Sequence, residues 1–273
     1  MKVTLVPGFN PGPYTGSGNN TYLIHDRSGR VATLVDAATG QPGHLETLRE
    51  VIRSAQLARV LVTHAHSDHI AGAPAIAAEW PNAEFAKMPW PARDAEYPIV
   101  WRSLAEGDEV SAADSALRVL HTPGHAPDHL CFYSEQEGIL FSGDLLVRGS
   151  TVVIPGSGQG NLAQYLASLS RIRDLKPARV LPAHGEEITE VVALIDYYVD
   201  HRRQRDDEIL AVLGAGASTR AEVVDQVYRG LAEELKSAAS DSVFAHLIKL
   251  EAEGRVRRNS DNANSNDGLW ERV

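Results

Sequence analysis

Arg59-Val60-Leu61-Val62-Thr63-His64-Ala65-His66-Ser67-Asp68-His69 decides how this chain is read. A short aliphatic run of strand length leads directly into three histidines and an aspartate. Two histidines at i and i+2 beyond a strand end can converge on one cation. The Asp-His pair that follows can turn toward a second, and neutral imidazole and carboxylate are zinc-type donors that need no thiolate.

The same arrangement recurs along the chain. The apolar run Leu117–Leu120 leads into His121-Thr122-Pro123-Gly124-His125-Ala126-Pro127-Asp128-His129. Ile139–Phe141 leads through Ser142-Gly143 to Asp144, and Arg179–Leu181 leads through Pro182-Ala183 to His184. Further apolar runs at Val3–Val6, Tyr22–Ile24, Ala32–Val35 and Leu130–Tyr133 read as buried strands. Helical spacing marks His44–Ala55, Ile70–Glu79 and Leu162–Leu175, so strands interleave with helices and an α/β layered domain is expected. In such a fold the loops at strand C-termini gather on one rim. Seven residues could then hold two divalent metals. His64, His66 and His125 form one site, Asp68, His69 and His184 the other, and Asp144 bridges them. Asp128 and His129, beside His125, are candidates for orienting a ligand or the substrate.

The chain changes character near residue 190, which separates an expected catalytic domain, 1–190, from a module at 191–273. Glu187–Leu213 has helical spacing, and Ser218, Thr219 and Glu222 resemble a capping box. Another helix fits Ser242–Glu253, ending at Gly254. Arg255–Arg258 and Leu269–Val273 then read as a hairpin about the polar stretch Asn259–Gly268. Three helices and a hairpin are the order of a winged helix.

Composition narrows the function classes. Lys and Arg number 26 against 36 Asp and Glu, giving −10 over 273 residues, which disfavours nucleic acid and anionic membranes as partners. The only basic clusters in the tail are Arg202, Arg203 and Arg205 with Arg255, Arg257 and Arg258. From Asp196 onward, however, 11 Lys and Arg face 15 Asp and Glu. Those arginines read as a solvated face paired with neighbouring acids. No run approaches the ~18 apolar residues of a membrane span. A single cysteine, Cys131, excludes an internal disulfide framework, and its strand context suggests an inert buried thiol. A reducing, cytoplasmic setting is expected.

The motifs HAHSDH, TPGH, FSGD and PAHG, in this order, resemble the metallo-β-lactamase superfamily. The resemblance implies a four-layer αβ/βα sandwich with a dinuclear zinc site. Asn10-Pro11-Gly12-Pro13, Asn20–Ile24, the Gly149–Val152 segment and the tail from Tyr198 narrow it. They are similar to the β-lactamase-like hydrolases whose mammalian member is a mitochondrial endoribonuclease. A bridging Asp144 departs from true zinc β-lactamases and favours the hydrolase and nuclease branches. Flavodiiron proteins carry Glu in place of the second histidine, here His66, and append a flavodoxin domain. Glyoxalase II shares the seven ligands but not this tail.

Two activities follow as expectations. The first is hydrolysis of a small acyl substrate (an ester, thioester, lactone or amide) by a hydroxide held between two zinc ions, with Asp68 assisting the leaving group. Manganese or iron could take the place of zinc. The second is a metal-dependent phosphodiesterase, most simply a single-strand endoribonuclease with RNA as partner. The tail module would cover the site or mediate a homodimer.

Overall fold

In the computed structural model, residues 1–259 and 268–273 are described. Two mixed sheets stack face to face. The first runs in the order β1 (Lys2–Pro7), β2 (Asn20–His25), β3 (Val31–Val35), β4 (Gln56–Leu61), β5 (Glu84–Lys87), β6 (Trp101–Ser103). The second begins with β7 (Glu109–Ala112), β8 (Ser115–His121) and β9 (Leu130–Ser134). It continues through β10 (Ile139–Gly143) to β11 (Arg179–Pro182), with neighbours paired in that order. Hairpin partners are antiparallel, whereas β3 to β6 run parallel to one another and β10 runs parallel to β11.

The inner strands β2, β3, β9 and β10 are covered on both faces, which explains why they lack polar alternation. In β2, Tyr22 and Ile24 enter the core between the sheets, while Leu23 faces the opposite layer. In β9, Leu130 and Phe132 point between the sheets, and Cys131 and Tyr133 point outward to another apolar cluster. Helices α1 (Pro42–Ile52) and α3 (Ala73–Glu79) close the first sheet through Leu48, Ile52 and Ile76. The second sheet is covered by α5 (Leu162–Leu175) and the start of α6 (Val191–Gly214), through Tyr165, Leu169, Ile195 and Tyr198. Fully burying an aliphatic or Phe side chain contributes roughly 1.5–3 kcal/mol, so these three clusters dominate the stability of the sandwich. The result is the four-layer arrangement of helix, sheet, sheet and helix.

The far half of α6 packs with α7 (Arg220–Val227), α8 (Lys236–Ala252) and the hairpin β12 (Val256–Arg258) and β13 (Trp270–Arg272). Ile209, Leu213, Val223, Val243, Leu247 and Trp270 form their shared core. Thr219 caps α7, and the Glu222 side chain returns the bond, completing the box. The turn expected between the hairpin strands, within Asn259–Gly268, lies almost wholly outside the described residues.

Several expectations shift. The stretch expected as one helix, Ile70–Glu79, is divided into α2 (Ser67–Ile70) and α3, so Asp68 and His69 sit on a helical turn rather than in a loop. α1 stops at Ile52 instead of Ala55 because Arg53 turns to φ +51°. α8 begins at Lys236 rather than Ser242; its first turn, Lys-Ser-Ala-Ala, has helix-compatible residues without an apolar stripe. β5, β6, β7 and the short α4 (Pro91–Asp94) carry too few apolar residues to announce themselves. β1 is an edge strand in which Val6 alone is fully buried.

Candidate metal centre

Strand ends supply most of the site. His64 follows β4, His125 follows β8, Asp144 follows β10 and His184 follows β11, while α2 presents Asp68 and His69. Gly143 makes this rim possible. At φ +49°, any Cβ there would lie 2.8 Å from both His129 Nε2 and Thr63 Cβ.

The seven residues converge as two groups. His66 Nδ1 lies 3.0 Å from His64 Nε2 and 2.8 Å from His125 Nε2. Asp68 Oδ2 lies 3.3 Å from both His69 Nε2 and His184 Nε2. Asp144 stands between the groups. Its Oδ1 is 3.4 Å from His69 Nε2 and 3.2 Å from His184 Nε2, and its Oδ2 is 3.4 Å from His125 Nε2.

The outer ring atoms fix which nitrogens face inward. His125 Nδ1 donates to the Val153 carbonyl at 2.8 Å, leaving Nε2 with its lone pair toward the centre. Thr63 Oγ1 donates to Asp36 Oδ2, so His64 Nδ1 donates to that hydroxyl at 3.1 Å and its Nε2 also faces inward. Asp36 accepts three bonds, from Thr63 N at 2.7 Å, Thr63 Oγ1 at 3.0 Å and His69 Nδ1 at 2.9 Å.

Electrostatics divides the groups. Burial pulls His66 down to about 3, with the neighbouring His125 adding to the effect. Burial likewise keeps His64 and His125 below the usual range. Burial also disfavours charge on His69 and His184, but facing carboxylates outweigh it. Asp68, Asp144 and Asp36 raise His69 strongly, and Asp144 and Asp68 carry His184 to about 9. Despite burial, the Asp68 and Asp144 carboxyls lie far below the ordinary carboxylate range because His69 and His184 face them.

Comparison with known proteins identifies the frame. The family model for the metallo-beta-lactamase superfamily matches residues 14–184, and that for the beta-lactamase associated winged helix domain matches 219–270. The chain belongs to the metallo-beta-lactamase superfamily. A "Beta-lactamase-like protein 2 homolog" from Drosophila melanogaster is 35% identical over 270 residues, covering 94% of this chain and 90% of that protein. An "Atrochrysone carboxyl ACP thioesterase" from Aspergillus chevalieri is 32% identical over 268 residues, 93% of this chain and 82% of that one. A solved metallo-beta-lactamase family protein from Thermus thermophilus superposes with a TM-score of 0.83 at 25% identity, covering 99% and 98% of the two chains. The chain is thus a hydrolase of the metallo-beta-lactamase superfamily with its winged helix attached.

Its residues fit divalent cations. Three donor triads, His64/His66/His125, His64/His69/Asp144 and Asp68/His69/His184, each keep their ligand atoms within 4.8 Å of one another. His69 Nε2 and Asp144 Oδ1 are buried without a hydrogen-bond partner, as expected of atoms that serve an ion. Protons on His69 and His184 occupy the nitrogens a cation would use, so binding would release them.

Around the donors, His129 and Asp128 part company. His129 Nδ1 meets Thr122 Oγ1 at 2.8 Å, and its Nε2 accepts from the Asp144 backbone N–H at 3.0 Å. The Asp128 carboxylate instead pairs with the buried Lys87 ammonium at 3.1 Å. Sequence reading missed Asp36, although it directly follows the strand Ala32–Val35 just as His64 and Asp144 follow theirs. It also missed Asn19, whose Nδ2 donates to Asp68 Oδ2 at 3.1 Å and which has no comparable signal. Cys131 is fully buried, and burial drives its thiol up to about 12, which matches the inert reading.

One expectation about the tail holds in part: Arg203, Arg205, Arg255 and Arg257 pair with neighbouring acids, but Arg202 does not lie on a solvated face. Arg202 is only 3% exposed, and Asp206 is buried against His246 Nδ1 at 2.6 Å and Lys249 Nζ at 2.8 Å. These residues face inward because α6 lies between the sandwich and α8, so the basic cluster is not one solvated face. Among the described residues no helix is long and apolar enough to cross a membrane.

Proposed function

We propose that this hydrolase is a dinuclear zinc enzyme acting on a small acyl substrate, with a thioester in front of esters, lactones and amides. The observation that carries the reading is Asp144, whose two oxygens face the two donor groups. A donor set of imidazoles and carboxylates suits zinc, and manganese or iron fit it as well. His64, His66 and His125 would hold one ion and Asp68, His69 and His184 the other. When bound, such ions polarise a carbonyl oxygen and lower the pKa of water, supplying electrophile and nucleophile near neutral pH.

The chain's own groups do the rest. Asp68, whose side chain is the most exposed of these carboxylates, stays ionised and is aimed by Asn19, so it can assist the leaving group by accepting a hydrogen bond that orients it. Trp90, with its ring centroid 6.4 Å from that of His66, offers an apolar wall beside the first group. The relative named as a thioesterase supports the thioester.

Phosphodiester cleavage is less well supported. Arg202 is buried, Arg205 bonds Glu208 and lies over Tyr228, and Arg257 is paired with Glu271 at 2.7 Å. The test is a panel of acyl thioesters, esters and single-stranded RNA given to zinc-loaded protein at 50 and 200 mM salt, between which single-strand binding through about six phosphates weakens by roughly 10²–10³-fold while a neutral substrate is little affected. Thioester turnover that changes little with salt, with RNA intact, is the expected result. RNA cleavage that collapses as salt rises, with no acyl turnover, would contradict the proposal.

A further inference from the structure

Between Asp144 and α5 the chain runs as a strap beside the site, and it touches both donor groups. One end carries Asp144, and further along the Val153 carbonyl accepts the bond that orients His125. The strap makes little regular structure of its own beyond the 3-10 turn Gly156–Gly158. Its position is therefore set by what grips it from below.

Helix α6 supplies the grip. Tyr198 Oη donates to the Val147 carbonyl at 2.8 Å and accepts from the Val147 N–H at 3.0 Å. One helical turn on, Arg202 donates through Nη2 to the Val152 carbonyl, the residue next to the one that holds His125. The Arg202 guanidinium lies 5.8 Å from the ring centroid of Tyr165, whose hydroxyl donates to the Leu145 carbonyl at 2.7 Å, next to Asp144. The i, i+4 spacing places Tyr198 and Arg202 on the same face, so two side chains of one helix hold two points of the strap.

α6 is itself braced by α8. Asp206, one turn beyond Arg202, accepts from His246 at 2.6 Å and from Lys249 at 2.8 Å. α8 also reaches the strap directly. Ser157 Oγ donates to Asp241, and a Cβ on Gly156 would come within 2.6 Å of the Ala245 N–H nitrogen. The winged-helix side of the molecule is therefore in contact with the segment that aims a donor histidine.

We propose that Arg202, with Tyr198, is a positioning residue for the metal centre, through which the C-terminal module fixes His125 by way of Val152 and Val153. The proposal rests on the two-metal reading above. A planar guanidinium suits the role, because it can bond a carbonyl while lying over an aromatic ring, which an ammonium point charge does less well. Groups that orient a donor histidine typically alter metal affinity by about 10–100-fold when removed.

The test measures the two stepwise zinc affinities by competition with a chromophoric chelator, on full-length wild type, Arg202→Met, Arg202→Lys and Tyr198→Phe. His125→Gln identifies which step belongs to His125, and the unfolding midpoint of each metal-free variant is recorded alongside. Arg202→Met is expected to weaken the His125 step about 10–100-fold while the other step moves less. Arg202→Lys is expected to recover part of the loss, and Tyr198→Phe to shift in the same direction by less. If Arg202→Met does not fold, the lysine and phenylalanine variants carry the test. Equal stepwise affinities in wild type and in every folded variant would overturn the inference, even if the midpoints fall. Wild type that takes up fewer than two equivalents would overturn the two-metal reading and this inference together.

Discussion

Holding the outer nitrogen of a rim histidine aims the other nitrogen inward, and the contrast between His125 and His44 illustrates the point. His125 is fixed by a carbonyl and presents Nε2 to the centre. His44 is also fully buried, but it spends Nε2 on Thr21 Oγ1 at 3.1 Å and belongs to none of the donor triads. Burial lowers His44 to about 4, below the ~6.5 of an unfolded histidine. The sign follows directly. The folded state binds fewer protons, so its stability is intact above pH 6.5 and is lost as pH falls toward 4. Between pH 7 and pH 5 this group removes about 2 kcal/mol. In urea unfolding of metal-free protein, His44→Gln should therefore lose less stability over that interval than wild type by about that amount. Equal losses would refute the assignment. The donors themselves were legible because each follows an apolar run. Asp36 obeys the same rule but stands outside the four motifs, whereas nothing about Asn19 in the linear chain predicts its bond to Asp68.

Among the elements, legibility follows apolar content. α5 reads at its true limits because Asn161 caps it and its buried face repeats at helical spacing. β6 carries little signal because an edge strand needs few apolar residues, and β5 is masked by its four-residue length and by Lys87, a fully buried cation satisfied by Asp94 and Asp128. α6 deceived for the opposite reason. Its charges at Arg202 and Asp206 look solvent-facing until α8 and the strap are known to lie against them. α7 is the clearest local signal in the module, with Thr219 bonding the Glu222 N–H at 3.2 Å and Glu222 returning a bond of 2.7 Å to the Thr219 N–H. Thr219→Ala should lower stability by about 1 kcal/mol, since the Glu222 N–H at the start of a short helix loses its acceptor. Chemical denaturation checks this, and an unchanged midpoint would show that α7 is held by packing alone.

Across the whole molecule, the sandwich brings strand ends from both sheets to a single edge, and the winged helix closes against the strap beneath it. The order of motifs carried that architecture, because each donor sits where a parallel or hairpin strand must stop. The path of the strap was not legible, since it depends on contacts between residues about 50 apart in sequence, such as Arg202 with Val152. The proposed function turns on Asp144, which would join two cations into one hydrolytic centre. Its most direct test is the zinc content per folded chain of wild type and Asp144→Ala, reconstituted identically and assayed on a thioester. Two equivalents are expected in wild type, and in the variant a lower content with turnover abolished. Wild type with one equivalent or none, or a variant that keeps both ions and full turnover, would contradict it.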